Sequence, residues 1–192
     1  MNMNPLTLIK NNLEDSAKIK KDMVKLAPLI LKIANETITA LKKGGRVYVF
    51  GNGGSASDSQ HMAAELVGRF NKEKQPLAAI SLTTNTSILT AVGNDYGYEY
   101  SFSKQVEALA KKGDIVFAIS TSGNAKNVLE AVLKAKRMKV KTVGLSGKGG
   151  GNLARACDLC LVIPSNSTAR IQEAHITAIH ILCELIEEAF VK

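Results

Sequence analysis

The sequence predicts an α/β protein: a three-layer, doubly wound, parallel five-stranded sheet with helices on both faces and an N-terminal helical extension. Three observations carry this. From residue 46 onward, short apolar runs alternate with amphipathic stretches of helical period, the pattern of repeated βα units. Val47, Tyr48, Val49 and Phe50 are apolar without alternation, as in a strand covered on both faces. Ahead of them, residues 6–41 repeat apolar side chains at helical spacing.

The elements follow in order. Leu6, Ile9, Leu13, Ile19, Met23 and Leu26, then Leu29, Ile30, Ile33, Ile38 and Leu41, read as two helices parted near Pro28. Gly44-Gly45 ends them. The first strand, 47–50, leads through Gly51-Asn52-Gly53-Gly54 into a helix over 55–70, with Ser55 or Ser57 as its cap. A second strand spans 78–82. A short helix over 87–92 follows, then a polar turn at 93–97 and a helix over 98–111. The third strand, 114–119, enters Ser120-Thr121-Ser122-Gly123-Asn124 and a helix over 125–137. A fourth strand covers 141–145, residues 146–151 read as a flexible loop, and a fifth strand covers 158–163. A helix over 168–190 closes the chain. The whole, 1–192, reads as one domain, with 1–43 a helical segment whose surplus of apolar surface suits packing against another subunit.

Composition narrows the classes. The chain has 192 residues, 45% hydrophobic and 22% charged, with a formal net charge of +8. Its lysines are scattered and no aromatics interleave with them, so a solvated surface attracting anionic metabolites is expected rather than nucleic-acid binding. No apolar run is long enough to span a membrane, and the N-terminus lacks a signal pattern; a soluble, cytoplasmic protein is expected. Cys157 and Cys160 fall in the fifth apparent strand, where a spacing of three directs side chains to opposite faces. Buried thiols are therefore expected, not a redox or zinc pair.

Two loops and two helices carry the chemistry. Glycines at 51, 53 and 54 permit close backbone approach to a ligand, and the helix behind them points its free N–H groups at the turn. Residues 51–56 fit the dinucleotide fingerprint G-x-G-x-x-A, but the second strand ends in Ser81-Leu82-Thr83-Thr84 without the acidic residue that holds a ribose. Three successive hydroxyls at 120–122 can wrap a phosphate, where an ordinary cap needs only one. In parallel sheets ligands bind beyond the carboxyl ends of the strands, so the two loops are expected to share a site for a sugar phosphate. His61 and Glu65, four residues apart, project from one helical face. In the last helix, spacing puts Glu173 and His180 on one stripe with Gln172 beside it, so geometry alone favours Glu173 as the partner of His180 while the sequence leaves the choice undecided.

These residues resemble those of bacterial phosphoheptose isomerases, enzymes of the sugar-isomerase (SIS) fold. The resemblance runs through FGNGGS at 50–55, QHMAAELVGRF at 60–70, VGNDYG at 92–97, ISTSGN at 119–124, LSGKGGG at 145–151, and ARIQEAHI with the later His180. It implies an aldose–ketose isomerase acting on sedoheptulose 7-phosphate, for bacterial surface polysaccharide, through a cis-enediol(ate). It implies that Ser120, Thr121 and Ser122 hold the phosphate, and that Asn52, Gly53, Gly54, Ser55, Arg69, Asn94, Asp95 and Asn124 line the substrate with Glu65 and Gln172. Glu65 and His180 are the implied base and acid. His61, Glu65, Gln172 and His180 are implied to hold one zinc per subunit, and the assembly is implied to be a homotetramer with sites at subunit interfaces. Ala125 and Ala169 stand where some members carry a serine and an acid. Non-catalytic relatives of the fold act by protein–protein contacts or as sugar-phosphate sensors; this chain keeps the Glu and His that the former lack and shows no DNA-binding extension.

Overall fold

The computed structural model describes residues 4–191. Helix α1 (Pro5–Asp22) passes through a 3₁₀ turn, Met23–Leu26, into α2 (Ala27–Lys42). The break therefore falls just ahead of Pro28, which sits in the first turn of α2, where its missing N–H costs nothing. The rest is β1 (Val47–Gly51), α3 (Gly54–Val67), β2 (Ala79–Ser81), α4 (Thr86–Asp95), α5 (Ser103–Leu109), β3 (Ile115–Ser120), α6 (Lys126–Arg137), β4 (Lys141–Ser146), α7 (Gly151–Ala156), β5 (Leu159–Val162) and α8 (Thr168–Glu188). All strand pairs are parallel, in the order β2-β1-β3-β4-β5.

The two faces of the sheet are separate cores. Val47, Val49, Phe117 and Leu145 meet α2, α3 and α8 on one face; Tyr48, Phe50, Val116 and Ala118 meet α5 and α6 on the other. Helix α8 turns Ile171, Ala174, Ala178, Leu182 and Ile186 inward at three- and four-residue spacing, all fully buried. Of these, Ile171, Leu182 and Ile186 each contribute roughly 1.5–3 kcal/mol by leaving water.

Several local expectations need correcting. Neither Ser55 nor Ser57 caps α3: Gly53, at φ 57°, occupies the cap position, with no side-chain bond to the helix. Asn85 caps α4, and that helix runs on through Asp95, so the first half of the expected polar turn is helical. The expected flexible loop at 146–151 is an ordered turn feeding the unforeseen helix α7. Cys157 lies ahead of β5, as the cap that ends α7, so the strand alternation does not apply to it. Both its sulfur and that of Cys160 crowd the space beside Gly144, where a Cβ would stand 3.1 and 2.8 Å from them. The thiols are thus on one side rather than opposite, and burial pushes Cys157 up to about 12, which leaves it an inert thiol.

His175 is wholly buried, its Nε2 donating to the Ser146 carbonyl at 3.2 Å while Nδ1 has no partner. Burial pushes its pKa down to about 4. The unfolded chain therefore binds the extra proton first as pH falls, so stability is full above about 6.5 and is lost from there through 4. We expect His175 to account for about 3 kcal/mol of acid destabilisation between pH 7 and pH 4. Urea unfolding of His175→Gln should show a shallower acid slope than the wild type; equal slopes would refute the assignment.

Candidate active site

The chain reverses direction across the sheet between β1 and β3, which makes the crevice between their carboxyl ends the switch point of the fold. The glycine turn leaves β1 there and the hydroxyl loop leaves β3. Gly51 is packed so closely that a Cβ would stand 2.8 Å from the Ile119 carbonyl. A Cβ on Gly54 would meet the amide of Gln172 at 2.4 Å, so Gln172 closes the turn from α8. Ser120 is buried at the strand end, its Oγ 3.5 Å from that of Ser122, which also accepts from the Asn124 N–H. Thr121 is half-buried between them. The loop at 146–152 wraps this one: the Gly147 N–H donates to the Thr121 carbonyl, and the Asn152 N–H to Asn124 Oδ1.

Asn52 is held by a reciprocal amide pair with buried Asn127, both bonds 2.8 Å, and its Oδ1 also accepts from the Tyr98 hydroxyl at 3.2 Å. Asn127 and Tyr98 were missed by the motif reading, because the partners are 75 and 46 residues from Asn52. Asn94 and Asp95 are exposed and bonded to each other at 2.8 Å. Ser55 is buried, packed beneath Gly51 rather than facing open space. Arg69 lies at the far end of α3, exposed and paired with Glu73.

His61, Glu65 and His180 stand elsewhere. His61 Nε2 is 3.1 Å from Glu65 Oε1 and 3.1 Å from His180 Nε2, and the two imidazole rings tilt together at 5.0 Å. Glu173, the partner that helical spacing favoured for His180, instead bonds Arg170 at 2.6 Å. Asp58, one turn before His61, was overlooked; one of its oxygens is buried without a partner, and burial pushes its carboxyl up to about 6 against the opposing pull of His61. Its i, i+3 spacing to His61 was the available signal.

Helix α3 starts at the carboxyl edge of the sheet and runs back to the other edge, where the Leu77 N–H, just ahead of β2, donates to the Leu66 carbonyl. At ~1.5 Å per residue, Glu65 stands roughly 16 Å along the axis from Gly54, and His180 roughly 12 Å along α8 from Gln172. Within one chain the structure thus gathers two groups: the loops with Asn52 and Gln172 at one edge, and His61, Glu65 and His180 toward the other.

A metal at the second group is chemically reasonable. One imidazole nitrogen faces both a carboxylate oxygen and a second imidazole nitrogen, and it holds either one proton or one lone pair, so it cannot satisfy both. A cation shared by the three would. Among the described residues no group of three or more His, Cys, Asp and Glu side chains is already closed around an ion position, so these side chains would have to turn inward.

The parallel five-stranded sheet with ligand loops at its switch point is a doubly wound α/β fold, and within it residues 13–147 match the model of the SIS domain. The chain is 55% identical over 184 residues to a phosphoheptose isomerase of Campylobacter concisus, covering 96% of this chain and 97% of that one. Two solved structures superpose closely. The phosphoheptose isomerase of Neisseria gonorrhoeae gives a TM-score of 0.92 at 41% identity, covering 96% of this chain and all of that one. That of Francisella tularensis gives 0.94 at 38%, covering 97% and all. The chain belongs to the phosphoheptose isomerases, a family of aldose–ketose isomerases. Among the described residues no helix is long and apolar enough to cross a membrane.

Proposed function

We propose that the protein interconverts sedoheptulose 7-phosphate and D-glycero-D-manno-heptose 7-phosphate. The observation that carries this is the pairing of Glu65 with the His61–His180 contact, in a chain whose switch-point loop is lined with hydroxyls. Glu65 takes a proton from C1 of the ketose, and the electrons move into a C1–C2 double bond with the charge on O2. His180 protonates O2 and receives the proton of O1. The carboxyl of Glu65, its proton exchanging with solvent while the enediol persists, then protonates C2, which leaves the aldose. Incubation with sedoheptulose 7-phosphate in deuterated water should label C2 of the product; no turnover would reject the reading.

The hydroxyl loop serves binding rather than chemistry. Ser120→Ala should weaken affinity by about 0.5–3 kcal/mol, the range for one hydrogen bond to a neutral or charged group. Steady-state kinetics would show this in KM, and an unphosphorylated heptulose used equally well would contradict it.

The active unit is a homo-oligomer, in our reading a tetramer with shared sites. An extended phosphoheptose spans roughly 10 Å from phosphorus to C1, at ~1.2 Å per bond. The path of roughly 16 Å down α3 within one chain exceeds that. Apolar surface supports the same reading: Leu6, Ile9 and Leu13 form one stripe on α1 and are each more than half exposed. A groove of about 620 Å³ where α1 passes into α2 is lined by Met23, Val24, Leu31 and Ile181.

Zinc, one per subunit, fits His61, Glu65 and His180, with Gln172 of a neighbouring chain as the fourth donor. When bound it would polarise the substrate oxygens as a Lewis acid. An amide oxygen is a weak ligand, so the site should be labile and its loss should leave the fold intact. Metal analysis should find stoichiometric zinc in the wild type and none in His61→Ala; no uptake by the wild type would eliminate the site.

A further inference from the structure

The turn that follows α3 is clamped from both sides by buried or half-buried charge. Glu187, only 1% exposed, accepts from three successive backbone N–H groups: Phe70 on Oε2 at 2.8 Å, and Asn71 and Lys72 on Oε1 at 2.8 and 2.7 Å. Lys74 donates to the carbonyls of Leu66 and Gly68 at 2.7 Å, closing the last turn of the same helix. Burial alone would push the Glu187 carboxyl up; the three N–H groups and Lys74 outweigh it and hold the group below the usual carboxylate range. A carboxylate saturated by a run of backbone donors is costly to assemble, and it fixes the course of the chain through residues 70–72.

What that turn presents is the ring of Phe70, whose centroid lies 5.7 Å from that of His180 at 38°. The His180 ring thus has two ring neighbours, Phe70 and His61, the latter at 5.0 Å. Glu187 sits seven residues beyond His180 on α8, two turns down the same face. One helix thus carries both the imidazole and the anchor for the ring packed against it. Without Phe70 the imidazole, which makes its one polar contact to His61, is free to rotate about χ1 and χ2.

We infer that Glu187 and Phe70 are positioning residues: the buried carboxylate fixes the 70–72 turn, and the turn holds the Phe70 ring against His180 so that the imidazole keeps its aim at the His61–Glu65 pair. Neither touches substrate. The inference rests on the proposed acid–base role of His180 for its consequence in turnover, but not for its geometry.

The test uses the full chain without added metal. It has three histidines, so the His180 Cε1–H resonance is assignable by comparison with His180→Gln. Glu187→Gln keeps Phe70 and a similar shape but loses the charge that gathers the three N–H groups. It should move the His180 resonance while leaving that of His175 in place, and lower kcat about tenfold with KM changed less than twofold. Phe70→Leu should reproduce the kinetic effect, and Phe70→Tyr, which keeps the ring, should retain most of the activity. A Glu187→Gln protein with reduced thermal stability but an unmoved His180 resonance would overturn the inference, as would a loss expressed only in KM. Should Glu187→Gln fail to fold, Phe70→Leu decides: unchanged kcat there also overturns it. If the wild type lacks isomerase activity, the proposed function fails, while the resonance shift still judges the brace.

Discussion

Glu65→Gln is expected to lower kcat by roughly 10²–10⁴-fold, the scale for a lost general base. The substitution is nearly isosteric and sits on the outer part of α3, with the side chain 24% exposed, so the helix and its core face of Met62, Ala63 and Leu66 should be undisturbed. The amide still accepts a hydrogen bond from His61 but cannot take a carbon-bound proton. KM should therefore change little, and exchange of the substrate's C1 proton with solvent should fall in parallel with kcat. Turnover like that of the wild type would remove Glu65 from the chemistry.

Mixing two inactive variants should restore activity. Ser120→Asp puts a negative charge beside the expected phosphate, a repulsion of about 4 kcal/mol at 4 Å near a protein surface, or roughly a thousandfold in affinity. Glu65→Gln disables the other group. If each site takes its loops from one chain and its acid–base pair from another, co-refolded mixtures contain some sites with both parts intact, about a quarter of them if the chains assemble at random. If each site lies within one chain, the mixture stays as inactive as its components. A companion substitution, Leu31→Glu in the apolar groove, should yield smaller particles by light scattering and no turnover at concentrations where the wild type is active.

Much of this was legible in the residues themselves. The strands were readable because a doubly covered strand is apolar without alternation, and each was located to within a residue or two. The glycine turn and hydroxyl loop announced themselves by composition, and His61 with Glu65 by a four-residue spacing on one face. The misses have physical causes. Helix α7 takes its first bonds from a loop distant in the chain, Asn152 N–H to Asn124 Oδ1 and Leu153 N–H to the Gly123 carbonyl. The Cys157–Cys160 expectation failed because strand periodicity was applied to a residue outside the strand.

By itself the sequence determined the α/β architecture, the two ligand loops and the family, since these follow from local periodicity, turn chemistry and short motifs. Only the tertiary structure decided who meets whom. Spacing along α8 favoured Glu173 for His180, yet Arg170 holds Glu173, and His180 turns to His61 across the helix pair. Asn127 pairs with Asn52, and Glu187 with the turn beyond α3, across separations of 75 and more than a hundred residues, for which no local pattern exists. The separation of the loops from the acid–base pair is likewise a matter of helix direction. A helix that begins at one edge of a parallel sheet must end near the other, and that carries Glu65 away from the turn it follows so closely in the chain.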